Sequence, residues 1–345
     1  MPGAVALGSG CPGRASPVRA SVSEVTHNAP STTPAAPPRN IRVLLQFLAM
    51  GLVWGSSFLF MKVALTGVSF GQVAWARIIL GALTLGLIVL ISRQRLPREP
   101  VVWLHFLVIG IVGNVLPFLL FAWAEQYVSS SLASIYNAVT PITTALLATL
   151  AFRVERLNRS QATGIAIGVI GTIVIVGPWG YAALTGDLLG QLACLGAAVC
   201  YGVTFGYTRR FLSSRAIAGV PFAFMQVGMG ALVMLALTPV VALGPLALTV
   251  PIVVSLLALG ALGTGLAYVW NIAVLRAWGP TGASTVTYIT PVVGVILGVL
   301  VLGETFTWNE PLGALLVFLG ILLTQKRIRL WAARRPDALQ SNSVQ

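Results

Sequence analysis

Charge is the scarcest property of this sequence. Only 8% of its 345 residues are Asp, Glu, Lys or Arg, whereas soluble domains carry roughly 25%. Hydrophobic residues make up 57%, and the mean hydropathy is +0.91. A water-soluble globule needs a charged exterior, so this composition excludes one and indicates a protein that crosses a membrane several times.

Cysteine and catalytic signatures are scarce as well. The three cysteines, Cys11, Cys194 and Cys200, form no CxxC pair, which argues against a disulfide framework and a zinc site. The chain contains no HExxH or Walker A sequence. We therefore expect no cofactor, no metal and no catalytic residues, and a membrane-embedded lipid-modifying enzyme is the weakest alternative.

The net charge of +13 does not indicate a nucleic-acid partner. Nucleic-acid binders cluster Lys and Arg on one face, together with polar or aromatic side chains. Here the basic residues occupy short gaps between apolar runs.

Ten apolar runs are long enough to be helices that cross the hydrocarbon core, which needs about 20 residues. Each run is continuous rather than alternating, and in lipid every backbone polar group must be satisfied within the segment, so helices are expected. The predicted spans are residues 43–65, 70–91, 102–123, 130–152, 160–178, 188–208, 218–243, 252–275, 281–302 and 310–326.

The basic residues predict the orientation of these helices. With ten spans, 19 of the 21 Lys and Arg residues fall on the side that carries both termini, and only Lys62 and Arg77 fall elsewhere. Cytoplasmic loops carry an excess of Lys and Arg, so both termini are expected in the cytoplasm. Residues 1–40 are rich in Pro, Ala, Ser and Thr; a disordered cytoplasmic tail is preferred for them over a transit peptide.

The two halves of the chain repeat each other. Residues 131–141 read SLASIYNAVTP, and residues 281–291 read TGASTVTYITP. Arg77 aligns with Gln226, and the glycine pairs continue the alignment along the chain: Gly110 and Gly113 with Gly260 and Gly263, and Gly164 and Gly171 with Gly313 and Gly320. Five helices is an odd number, so the second copy must enter the membrane from the opposite side. Inverted repeats of this kind are typical of transporters, with the substrate site near the midplane where the repeats meet.

The sequence resembles the EamA-type drug/metabolite transporter superfamily over roughly residues 43–327. The matching features are WGSSF with Lys62 in helix 1, Arg77 in helix 2, and the AS…TP stretches of helices 4 and 9, each followed by a Glu. The resemblance implies an all-α integral membrane protein of ten transmembrane helices in two inverted five-helix repeats. The expected organisation is a tail at 1–40, repeats at 41–180 and 186–328, and a cytoplasmic tail at 329–345.

Polar and aromatic residues near span centres are the candidate substrate-binding residues, because they are costly there unless they are paired or face water. Aromatic walls with a few amides and hydroxyls suit a small amphipathic solute. Some of them could instead bond between helices or belong to the interfacial aromatic belt. The candidates come from helices 1, 3, 4, 6, 8 and 9, which line the cavity in the family that the chain resembles: Trp54, Ser57, Asn114, Phe118, Tyr136, Asn137, Tyr201, Thr204, Tyr268, Asn271, Thr287 and Tyr288.

Two basic residues lie in or near spans. Lys62, near the end of helix 1, either extends to the headgroups or attracts an anionic or zwitterionic solute. Arg77 lies about two turns into helix 2, where an internal partner and a cavity role both remain open.

Two prolines and two glutamates occupy matching positions in the repeats. Pro141 and Pro291 are predicted to kink helices 4 and 9, as hinges or as packing features. Glu155 and Glu304 follow those helices, where a structural bracket is favoured over a gate, for example Glu155 with Arg156 or Arg159. None of the eight carboxylates lies near a span centre, so the sequence offers no obvious proton carrier, and facilitation or exchange stays open.

The sequence therefore predicts a secondary transporter of the inner (plasma) membrane that exports small organic metabolites, amino-acid-like or amphipathic, by alternating access. The expected partners are a small-molecule substrate and membrane lipids, with a homodimer as an option. A non-transporting membrane sensor or scaffold is the main alternative.

Overall fold

The computed structural model describes residues 41–154, 158–177, 186–283 and 286–325, and within these ranges the chain is helical without strands. Ten helical segments follow one another. They are α1 (Ile41–Ala64), α2 (Phe70–Ser92), α3 (Pro100–Ala124), α4 (Ser130–Leu150), α5 (Arg159–Val176), α6 (Gly186–Phe211), α7 (Gly219–Ala236), α8 (Val250–Leu257, Ala258–Leu266 and Ala267–Ala283), α9 (Val286–Leu302) and α10 (Asn309–Thr324).

Eight of these segments, α1 to α8, contain stretches long and apolar enough to cross a membrane, and α9 and α10 are shorter apolar helices. The chain is therefore a multi-pass membrane protein. All ten segments lie where the sequence predicted runs, but three boundaries differ, one of them the start of α9 at Val286 rather than at residue 281. Helix α7 ends at Ala236 rather than near residue 243, because Pro239 starts a separate short helix, Thr238–Val241. Helix α8 continues past residue 275 to Ala283.

Helices α5 and α10 cross through glycines. A Cβ atom on Gly164 would lie 2.6 Å from the carbonyl oxygen of Gly320, and one on Gly171 would lie 2.8 Å from that of Gly313. The reverse substitutions meet the same partners, so the two backbones touch directly. The lower-numbered glycine of α5 faces the higher-numbered glycine of α10, hence the two helices run antiparallel.

The remaining helices exchange partners between the halves. Helix α1 packs on α8 and α9, and its counterpart α6 packs on α3 and α4. Helix α2 packs on α7 and α8, while α7 packs on α2 and α3. Each repeat therefore completes its core with helices of the other.

Two π-helical segments occupy equivalent places in the repeats. They are Ile111–Val115 in α3 and Ala258–Leu266 in α8, and they contain the aligned glycines Gly113 and Gly263. A π segment widens the helix by one residue per turn and is frequent at functional sites. The π segment of α3 contacts α2, α6 and α7. The π segment of α8 contacts α1 and α2.

The two predicted proline kinks differ. In α4 the helix is interrupted between Ser130–Asn137 and Thr140–Leu150, so Pro141 stands in the first turn of the second piece. In α9, Pro291 lies buried inside a continuous helix. The helix is therefore interrupted in α4 of the first repeat but not in its counterpart, α9 of the second repeat.

Candidate functional site

Two hydrogen bonds link the repeats at the middle of the bundle. The Arg77 Nε of α2 donates to the Thr264 hydroxyl of α8 at 3.2 Å. The Gln226 Nε2 of α7 donates to the Asn114 Oδ1 of α3 at 3.0 Å. Arg77 and Gln226 are aligned by the repeat, and Asn114 and Thr264 lie 150 positions apart, so each bond is the counterpart of the other.

Arg77 carries a positive charge into this cluster without an ion-pair partner among the described residues. Its guanidinium carbon lies 4.0 Å from the centre of the Phe118 ring, a cation–π contact. Tyr201 and Tyr268 lie near enough to interact with it electrostatically, and Glu125 acts on it from beyond ion-pair distance. The surroundings of this cation are therefore aromatic rings and neutral polar groups.

Asn114 offers a weakly engaged hydrogen-bond donor at the same place. The side chain is fully buried, and its Nδ2 has no hydrogen-bond partner of good geometry in the described part of the chain. The Tyr268 hydroxyl lies close enough to accept a hydrogen bond of poorer geometry from it. This amide is therefore only weakly engaged and can bind a further group.

Aromatic residues of α1 and α8 form one wall of the cluster. The indole N–H of Trp54 donates to the carbonyl oxygen of Gly263 at 3.0 Å, and its ring meets that of Tyr268 edge-on at 6.2 Å. Gly263 belongs to the π segment of α8. The widened turn thus fixes the orientation of Trp54.

Ser57 and Thr204, which the repeat aligns, lie against the two aligned glycines. A Cβ on Gly263 would lie 3.4 Å from the Ser57 hydroxyl oxygen, and one on Gly113 would lie 2.9 Å from that of Thr204. Both hydroxyls donate to their own helices, Ser57 to Val53 and Thr204 to Cys200. Their main role in this conformation is close helix packing.

The other predicted residues lie outside this cluster or make separate contacts. Tyr136 is fully buried, and its hydroxyl donates to Gln191 Oε1 at 2.7 Å. The Tyr288 hydroxyl donates to Gln325 Oε1 at 2.7 Å, and its ring stacks on Phe318. The remaining three, Asn137, Asn271 and Thr287, are partly buried.

A second polar cluster closes one end of the bundle, where α1, α3 and α9 end and α4 begins. The Lys62 ammonium donates to the carbonyl oxygens of Glu125, at 2.5 Å, and Val128, at 2.9 Å. The Glu304 carboxylate accepts from the N–H groups of Ser130 and Ser131 at 2.7 and 2.9 Å, and from the Ser131 hydroxyl. Glu304 therefore binds the positive end of the α4 dipole, while Glu155 lies outside the described residues.

The hydrogen bonds to Glu304 alter its protonation. Burial acts to raise the pKa of this carboxyl, but the Ser131 hydroxyl and the two backbone N–H groups outweigh it and hold the pKa below its ordinary value. Gly298 makes room for the arrangement, since a Cβ there would collide with Ser131 Oγ and Glu304 Oε2.

An apolar groove of about 430 Å³ runs along α1 and α9. Its lining is aliphatic with Phe60 and Ser56, and it includes none of the twelve predicted binding residues. Because its walls offer almost no polar group, it is suited to hydrocarbon rather than to a polar solute.

Three polar residues of these clusters were missed at the level of sequence. Thr264 could have been found by adding the 150-residue repeat offset to Asn114, and Gln226 had been aligned with Arg77 without being considered for the site. Glu125 gave no signal, because its position at the end of a span looks solvent-exposed in the sequence, whereas its side chain is fully buried.

Comparison with known proteins agrees with this architecture. The model of the EamA-like transporter family matches the chain twice, over residues 41–177 and 188–325. An uncharacterized transporter of Bacillus subtilis, YoaV, is 26% identical over 284 residues, covering 82% of this chain and 96% of that protein. A "Probable terminal-alkyne amino-acid exporter" of Streptantibioticus cattleyicolor is 27% identical, covering 80% of this chain and 91% of that one.

A solved crystal structure shares the fold with a TM-score of 0.57 and 21% identity, covering 84% of this chain and all of the other. The two family matches together span most of the sequence and correspond to the two halves that interlock in the structure. The chain therefore belongs to the EamA-like transporter family.

Proposed function

We propose that this protein exports small organic solutes that carry a carboxylate, amino acids or similar amphipathic metabolites, across the inner membrane by alternating access. The proposal rests on the environment of the Arg77 guanidinium. It is a cation at the contact between the repeats with no ion-pair partner among the described residues, and it lies against the Phe118 ring.

The chemistry of the cluster matches such a solute. A carboxylate would supply the counter-charge that Arg77 lacks and would accept a hydrogen bond from the Asn114 Nδ2, which has no partner of good geometry among the described residues. The rings of Trp54, Tyr201 and Tyr268 would contact the apolar part of the solute. The relative named as an amino-acid exporter supports the same class of substrate.

The arginine distribution supports the orientation. With α9 and α10 counted as crossings, ten spans place both termini in the cytoplasm, and the cluster of Lys62, Glu125 and Glu304 then faces the outside. The two halves are inverted copies joined at α5 and α10, so rocking of one against the other would expose the central cluster to each side in turn. Pro141 and Pro291 are the proposed hinges.

The test is counterflow in proteoliposomes. Purified protein is reconstituted with an unlabelled compound inside, and uptake of the labelled compound is measured for amino acids, polyamines, purines and lipophilic cations, with and without a pH gradient. Saturable uptake of amino acids that is lost in Trp54→Ala and in Asn114→Ala supports the proposal. Uptake of cations alone would contradict a carboxylate site, and no uptake of any compound would favour a sensor or scaffold.

A further inference from the structure

A buried carboxyl group without a hydrogen-bond partner lies at the Lys62 end of the bundle. Glu125 is the first residue after α3, its side chain is fully buried, and neither of its carboxyl oxygens has a hydrogen-bond partner in the described part of the chain. A charged carboxylate without partners is strongly disfavoured away from water, so the neutral form fits this environment.

The nearby basic residue does not neutralise it. The Lys62 ammonium is directed at the backbone carbonyl oxygens of Glu125 and Val128, not at the Glu125 carboxyl. The two backbone carbonyl oxygens therefore satisfy the hydrogen-bond donors of the Lys62 ammonium. The Glu125 carboxyl group remains without a partner among the described residues, buried where α1, α3 and α6 pack together.

The charged groups around Glu125 have opposing effects on its ionisation. Arg77 of α2 favours the ionised form, as Lys62 of α1 does, whereas Glu304 after α9 and burial itself favour the neutral form. Cys194 of α6 lies close enough to interact with it electrostatically. Burial is the largest of these effects, and it raises the pKa of Glu125 well above its ordinary value.

We propose that Glu125 is a proton-binding site linked to the opening of this end of the bundle. The carboxyl group takes a proton from the adjoining solution when the ends of α1, α3 and α4 close over it. When that end opens, water and the Lys62 ammonium become available to the carboxylate, and the proton returns to the same solution.

This site adds a gating role to the proposed transporter, and that role rests on the proposed function. Acid on the side that Glu125 faces would favour the closed end, and alkaline solution would favour the open end. The transport cycle would thus respond to pH although no carboxylate lies at the centre of a span.

The first measurement is infrared difference spectroscopy of the purified protein between about pH 5 and about pH 8. We expect the C=O band of a protonated carboxyl that persists near neutral pH in the wild type and is absent from Glu125→Gln. The matched control is Glu99→Gln at the opposite end of α3, where the carboxylate is 72% exposed and bonded to Arg215, and this variant should keep the band. Absence of the band from the wild type would overturn the proposal.

The second measurement is hydrogen–deuterium exchange of residues 126–131, corrected for the intrinsic effect of pH. We expect protection to fall as the pH rises in the wild type and to stay high in Glu125→Gln, since glutamine reproduces the neutral carboxyl. A Glu125→Gln variant with the wild-type pH profile, or one that fails to fold, would contradict the proposal. Neither measurement uses a solute, so a failure of counterflow would leave the proton site standing.

Discussion

Asn114 and Thr264 are 150 positions apart in the chain, and each accepts a hydrogen bond from the second helix of the opposite repeat. Thr264 accepts from Arg77, and Asn114 accepts from Gln226. The two repeats are thus linked by two equivalent hydrogen bonds. One donor, Arg77, is charged and the other, Gln226, is neutral, so the two sides of the site differ in charge.

The first prediction concerns that charge. In Arg77→Gln the solute carboxylate loses a charged partner, and charged hydrogen bonds contribute about 1.5–3 kcal/mol. We expect the apparent KM for counterflow of a carboxylate solute to rise about 10- to 100-fold. The variant should fold, because Gln226 occupies the equivalent position. Arg276→Gln, which removes an exposed arginine, is the control and should leave KM unchanged; an unchanged KM in Arg77→Gln would exclude the carboxylate contact.

The second prediction concerns Gly298. A methyl group there would collide with Ser131 Oγ and Glu304 Oε2, so Gly298→Ala should displace the carboxylate from the start of α4 and cost about 1–3 kcal/mol. A fall in the melting temperature of the detergent-purified protein would show this. Gly228→Ala is the matched control, because its nearest contact would be Phe224 at an ordinary 3.8 Å. Equal melting temperatures for the two variants would argue against the steric reason.

The third prediction concerns pH and Glu304. Its pKa is lower in the folded protein than its ordinary value of 4.5, so its contribution to stability is complete above that value and is lost as the pH falls through the lowered pKa. The melting temperature should therefore fall in acid, and Glu304→Gln should show a smaller acid-dependent fall. If the two proteins lost stability in parallel on acidification, another group would be responsible.

The fourth prediction separates the two prolines. Because α4 is already interrupted before Pro141 while α9 is continuous through Pro291, Pro141→Ala should slow exchange more than Pro291→Ala does. An alanine at 141 allows the two pieces of α4 to join, which would stiffen the proposed hinge. Rates of solute exchange at saturating concentration provide the measurement, and unchanged transport in both variants would remove the prolines from the mechanism.

The helices could be predicted from sequence because lipid leaves the backbone few alternatives, so apolar length nearly determines position. The division of the chain into two repeats also followed from the similarity of its halves. The end of α7 was placed too late because the apolar run continues past Pro239, where hydropathy does not record the break.

The site was harder to predict because hydropathy does not show which way a side chain points. Trp54, Asn114, Phe118 and Tyr268 lie together with Arg77, whereas Tyr136 and Tyr288 are bonded elsewhere to Gln191 and Gln325. The π segments widen α3 and α8 and alter the angular positions that regular helical spacing would give. Burial of Glu125 depends on how α1, α3, α4 and α9 meet at one end of the bundle, which no local pattern encodes.

The glycine contact between α5 and α10 holds the two halves together through residues that are not part of the proposed solute site. The contact is built around main-chain atoms of Gly164, Gly171, Gly313 and Gly320, with residues such as Ile175 and Thr324 beside them, and none of the side chains of the central cluster takes part in it. The side chains of the central cluster can therefore be exchanged during evolution without altering this contact, about which the proposed rocking of the halves would take place. Under the proposed mechanism, a change at one of the four glycines would impair transport of every solute equally, whereas a change beside Arg77 would alter the choice among solutes.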